Sequence, residues 1–198
     1  MKLKRAFIIV LASTLLSSCV RLPVAEDERQ VFAPLSLMTS YGITIPGDYF
    51  KYEKYVKKLF YDNTFMLEYE YSAPKNMTKD FLYLNEAFMF KRSVSDISID
   101  ELTKKWFTTN EDYTTYGMKL TERPDSFTWG EKSKLYDIIG VSNKAIGSYF
   151  VASYGKMMFT FIAVGFSIHQ KEVWTELLKD RLDRSKEFNI GFYSLKTK

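Results

Sequence analysis

The sequence predicts an α+β fold: a largely antiparallel sheet with two or three helices packed on it in a single domain. Three observations carry this. Segments of alternating apolar and polar residues recur through the chain, as in Phe65, Leu67, Tyr69 and Tyr71 against Thr64, Met66, Glu68 and Glu70. Two capping-box sequences, Ser98-Ile99-Asp100-Glu101 and Ser167-Ile168-His169-Gln170, each precede a helical apolar stripe. Aromatic residues make up 17% of the chain, enough for a compact, sheet-rich core.

Taken in order, Tyr41 to Gly47 reads as a strand stopped by Pro46-Gly47. Residues 49–61 have two readings. Tyr52, Tyr55, Val56 and Leu59 share a helical face, whereas a hairpin turning at Asp62-Asn63 suits the same residues. The alternating strand through Tyr71 is broken by Pro74, and Leu82 to Phe90 forms another strand. From Ser98 a helix runs to Thr109, with Ile99, Leu102 and Trp106 on one face. Strands follow near Lys119–Thr128, Leu135–Ser142 and Gly147–Tyr154, and Gly155-Lys156 makes a tight turn. Met157 to Phe166 is apolar on both faces, the mark of a central strand. A last helix buries Val173, Trp174, Leu177, Leu178 and Leu182.

The N-terminus has a different character. Lys2, Lys4 and Arg5 precede an apolar run from Ala6 to Leu16, too short for a spanning helix, which needs about 20 residues. Leu16-Ser17-Ser18-Cys19 then resembles a bacterial lipobox, in which an aliphatic residue and two small ones precede the acylated cysteine. The resemblance implies a signal peptide over 1–18, cleavage before Cys19 and lipidation of Cys19 with palmitate-type chains. Several acyl chains anchor stably where one does not, so the membrane is the first expected partner. Val20, rather than an aspartate, follows Cys19, which points to the periplasmic face of the outer membrane. Residues 19–36, with two prolines and the charge run Glu26-Asp27-Glu28-Arg29, read as the acylated cysteine and a flexible tether. The globular domain is then expected over 37–190, with a tail at 191–198.

Cleavage removes three positive charges and lowers the net charge from +4 to +1, so the basic balance gives no reason to expect nucleic acid as a partner. Cys19 is the only cysteine. Once it is acylated, disulfides, thiolate catalysis and cysteine-bound metal are excluded.

A further resemblance lies in the order of elements. The early strand ending Ile45-Pro46-Gly47, the helix at Ile99–Thr109, the meander through Ile138-Ile139-Gly140-Val141 and Phe159-Thr160-Phe161, and the closing helix resemble PsbP-like domains, including bacterial lipoproteins similar to DcrB. This implies an accessory or binding module of a larger envelope assembly.

Catalytic constellations are sparse. His169 is the only histidine, so a catalytic triad or a histidine-rich metal site would have to use it. Ser72-Ala73-Pro74-Lys75 has a serine-x-x-lysine spacing, but Pro74 favours a turn over the helix that the chemistry needs. Glu68 with Glu70, and Glu111 with Asp112, are pairs of the kind glycosidases use, and also of the kind that faces solvent on a half-buried sheet. No cofactor is expected. The segment of mixed aromatic and cationic character comprises Tyr49, Lys51, Tyr52, Lys54, Tyr55, Lys57 and Lys58, a candidate interaction surface for anionic headgroups, glycan or an envelope protein partner. The expected function is a non-enzymatic accessory or binding lipoprotein of the envelope. The alternative is a hydrolase or transferase acting on envelope glycan or peptide.

Overall fold

In the computed structural model, residues 20–41, 52–59, 65–72, 83–90, 98–101, 103–104, 118–124, 127–165 and 171–192 are described, with side chains of the last stretch from 175 to 186. Eight antiparallel strands form one sheet: β1 (Val20–Leu22), β2 (Glu53–Leu59), β3 (Phe65–Ser72), β4 (Tyr83–Phe90), β5 (Lys119–Glu122), β6 (Lys132–Ile139), β7 (Ala145–Tyr154) and β8 (Met157–Val164). Their spatial order is β1-β2-β3-β4-β8-β7-β6-β5. Two four-stranded meanders therefore meet through their last strands, β4 and β8, paired from Tyr83↔Val164 to Phe90↔Met157. Among the described residues the helices are α1 (Glu26–Arg29), α2 (Leu35–Ser40) and α3 (Lys171–Phe192), and residues 99–101 and 103–104 are also helical. The strand-rich α+β architecture agrees with the sequence reading at this level.

Each face of the sheet carries its own core. On one face, Leu67, Tyr69, Tyr71, Leu84, Phe88, Phe90, Phe150, Phe159 and Phe161 pack with Val31, Phe32, Ala33, Leu35 and Met38 of the N-terminal segment and with Leu177, Leu178 and Leu182 of α3. On the other, Tyr136, Ile138, Tyr149, Val151, Met158, Ile162 and Val164 pack with Ile99. Thr103 donates to the Tyr149 hydroxyl at 3.4 Å. Strand β8 lies at the centre and every one of its residues is buried, as its two apolar faces predict. In β3 the buried residues are Leu67, Tyr69 and Tyr71, the predicted alternation.

Two expectations are corrected. Residues 20–36 are not a tether: Val20–Leu22 pair with Leu59–Lys57 as an edge strand, and Phe32, Ala33 and Leu35 have no solvent exposure. The apolar run Val31-Phe32-Ala33 covers a sheet face that the aromatic residues of β3 and β4 would otherwise present to water. The folded body therefore includes residues 20–36, which the sequence reading had placed outside it. The helical reading of 49–61 fails over Glu53–Leu59, which is strand β2, antiparallel to β3 from Glu53↔Tyr71 to Leu59↔Phe65. The hairpin alternative matches that pairing.

Smaller differences follow the same logic. Tyr41 closes α2 instead of opening a strand, and residues 42–50 lie outside the described set. The strand expected over Lys119–Thr128 stops at Glu122. Gly155 takes φ 55° in the β7–β8 turn, a left-handed conformation that glycine adopts without strain. Cys19, Leu102, Trp106, His169 and the part of the expected helix beyond residue 104 lie outside the described residues.

Candidate functional site

The candidate interaction surface from Tyr49 to Lys58 falls, from Glu53 onward, on strand β2. The strand divides its residues between the two faces of the sheet by its period of two. Glu53, Tyr55, Lys57 and Leu59 share one face, and Lys54, Val56 and Lys58 the other.

On the first face, β2 meets the N-terminal segment. The Tyr55 ring lies 5.8 Å from Phe32 and 5.0 Å from Tyr69, with the Arg29 guanidinium 5.0 Å from its centroid. Burial, reinforced by the charges of Glu53 and Glu86, pushes the Tyr55 hydroxyl up to about 12. The Glu53 carboxylate accepts from the Tyr69 hydroxyl and, at 3.1 Å, from the Leu35 N–H. That same N–H reaches the Tyr69 oxygen at 3.1 Å. Burial first, and then the hydrogen bond to Glu53, hold the Tyr69 phenol protonated far above its ordinary range. Lys57 donates to Glu28 Oε1, while Glu28 Oε2 accepts from the Ala25 N–H at 2.8 Å and closes the start of α1.

Deeper on this face stands Glu86 of β4, fully buried. Both of its oxygens accept from the Ala33 N–H, each at 3.1 Å. Burial raises its pKa to about 8, opposed by the Ala33 hydrogen bond and by the nearby positive charge of Arg181. Arg181 itself donates to the Gln30 carbonyl at 2.8 Å. Lys57, Glu53 and Glu86 of the sheet thus hold residues 25–35 at three points, through the Glu28 carboxylate, the Leu35 N–H and the Ala33 N–H. Segments that cross a sheet face without joining it need such partners for their buried amides.

On the second face, Lys54 pairs with Glu70 at 2.8 Å and Lys58 lies 3.6 Å from Glu68. Glu68 also accepts from the Asn85 amide at 2.8 Å. The acidic pair considered for glycosidase chemistry is therefore held by lysines of the neighbouring strand. Of the seven proposed interaction residues, Lys54, Lys57 and Lys58 each face a carboxylate of this chain, Tyr55 is part of the core wall, and Tyr52 packs against the core. Tyr49 and Lys51 lie outside the described residues. Ser72 ends β3, and Lys75, Glu111, Asp112 and His169 are likewise outside the described set. Among the described residues no group of three or more His, Cys, Asp or Glu side chains is placed to hold a metal ion.

What the edge does expose is apolar. Val20 is 53% exposed, Leu22 37% and Leu59 41%, with Val20 paired directly to Leu59. Arg21, exposed, projects from the opposite face of β1. Sequence reasoning missed this corner because β1 lay inside the expected tether; the alternation Val20-Arg21-Leu22 before Pro23 was its only local signal. Among the described residues no helix is long and apolar enough to cross a membrane. No family model, curated protein or solved structure matches the chain.

Proposed function

We propose that this protein is a lipoprotein of the bacterial cell envelope, acylated on Cys19 and held at the periplasmic face of the outer membrane. There its globular body works as a non-enzymatic binding or accessory module for an envelope protein. The observation that carries this reading is the Leu16-Ser17-Ser18-Cys19 sequence running directly into an edge strand. An acyl anchor at that point leaves both cores of the sheet intact, and it supplies the membrane attachment that none of the described helices could. The ion-paired state of Glu68 and Glu70 favours a structural over a catalytic role for these carboxylates. The likeness to PsbP-like accessory domains, drawn from the order of segments in the sequence, is part of this reading.

The test is metabolic labelling with a radioactive fatty acid in a bacterial host, wild type beside Cys19→Ser. The expected result is a labelled wild-type protein that sediments with membranes after a high-salt wash, and an unlabelled variant that does not. A variant still bound after that wash overturns the acyl-anchor reading. Crosslinking of the labelled protein in intact envelopes, giving a discrete adduct lost on Cys19→Ser, is the expected sign of the partner.

A further inference from the structure

A lipoprotein with a tether stands off its membrane, and this chain has no room for one. Successive Cα atoms are about 3.8 Å apart, and Val20, the residue after Cys19, is already paired to Leu59 in the sheet. Any acyl chains on Cys19 therefore begin within one residue of the β1–β2 corner. That corner is where Val20, Leu22 and Leu59 are exposed together, on the first and second strands of the sheet. An edge strand also carries backbone N–H and C=O groups with no neighbouring strand on one side, which soluble proteins ordinarily protect.

We infer that the β1–β2 edge is a lipid-seating surface: Val20, Leu22 and Leu59 enter the interfacial layer beside the acylated cysteine, so that the sheet stands upright on β1. This rests on the lipid-anchor reading of Cys19. Three shallow apolar side chains suit the boundary between headgroups and acyl chains, where amphipathic elements bury to a depth of about 5–10 Å. Arg21, exposed on the other face of the strand, is placed to meet anionic headgroups. The lysines of β2 add little to such contact, because their charges already face Glu28, Glu68 and Glu70. Seating on this edge fixes orientation as well as attachment. Strand β6 stands six strand spacings from β1, roughly 29 Å across the sheet at about 4.8 Å per strand. The β6–β7 hairpin, where Val141 is 84% exposed, is thereby held away from the bilayer and open to a partner.

The sequence provides a clean experiment, because Cys19 is the only cysteine and its thiol is consumed by acylation. Leu59→Cys, Leu22→Cys and Val141→Cys, each made in the full acylated protein, receive an environment-sensitive thiol dye. They are then reconstituted into phosphatidylethanolamine–phosphatidylglycerol vesicles carrying a shallow nitroxide-labelled lipid. The expected result is quenching several-fold stronger at positions 59 and 22 than at 141. Equal quenching at all three positions in protein that sediments with the vesicles overturns the seating while leaving the anchor standing. A blue shift at 59 without lipid quenching means that a second copy or another protein covers the edge, and also overturns it. Dye incorporation at Cys19 of the wild type, with protein left in the supernatant, overturns the anchor and the seating together.

Discussion

Both carboxylate oxygens of Glu86 accept a hydrogen bond from one backbone amide, that of Ala33, at 3.1 Å each. The carboxyl is wholly buried, and its pKa is raised to about 8 by that burial. In the unfolded chain the same group titrates near the ordinary carboxyl value of 4.5. Below that pH it is neutral in both states. Between there and about 8 the folded protein keeps a proton that the unfolded chain has lost, so stability falls as pH rises through this window. The fall is bounded by about 1.4 kcal/mol per pH unit. Around it stand Glu53, Tyr69, Tyr55 and Arg181. Glu86→Gln keeps an acceptor for Ala33 and removes the ionisation. Urea denaturation at pH 4.5, 6 and 8 should show the variant gaining on the wild type as pH rises, and parallel pH profiles would contradict the assignment.

Phe32 tests how fully the N-terminal segment belongs to the fold. Its ring has no exposure and lies 5.5 Å from Phe88 and 6.0 Å from Tyr69. Phe32→Ala should cost about 3–5 kcal/mol, the range for truncating a buried aromatic. A tether residue would cost nothing measurable. Thermal or urea unfolding of the variant decides between them.

The course of the main strands was legible where one chemical pattern dominated. Strand β8 announced itself by being apolar on both faces, and β3 by alternating Phe65, Leu67, Tyr69 and Tyr71 with polar neighbours. Strand β2 was obscured by Lys57, which occupies a position on the apolar face and breaks the alternation; the residues left over, Tyr52, Tyr55, Val56 and Leu59, then mimic a helical stripe. What makes Lys57 tolerable there is Glu28, 29 residues earlier, and no local pattern reveals such a partner. The charge run Glu26–Arg29 concealed the apolar Val31-Phe32-Ala33 behind it in the same way. Of the candidate site, the exposed β1–β2 edge could not be read, since exposure of Val20 and Leu59 depends on their being paired in an outer strand.

Lys57 and Glu28 should behave as one unit. Their side chains are only 14% and 7% exposed, so removing either partner leaves a largely buried charge. Lys57→Ala and Glu28→Ala are each expected to destabilise by about 3 kcal/mol. The double variant should fall well short of the sum, with a coupling of about 1 kcal/mol or more by double-mutant cycle. Glu28→Ala should be the costlier of the two, because it also releases the Ala25 N–H. Additive losses would show that the pair contributes nothing jointly.

Two glycines in the β6–β7 hairpin region separate backbone necessity from mere tolerance. A Cβ on Gly147 would stand 2.1 Å from the Ala163 carbonyl oxygen and 2.9 Å from the Val164 Cα, both on the backbone of the central strand β8. Neither can move without parting β7 from β8, and Gly147 pairs with Val164 in that ladder. A Cβ on Gly140 would instead meet the Ile146 side chain, at 3.1 Å from its Cδ1 and Cγ2, and that side chain can give way. Gly147→Ala should therefore cost about 3 kcal/mol or more and Gly140→Ala about 1 kcal/mol or less, a contrast that chemically identical substitutions cannot owe to helix or strand propensity. Unfolding midpoints for the two variants measure it directly. Equal midpoints would mean that β7 and β8 are not in the close register on which the whole central ladder depends.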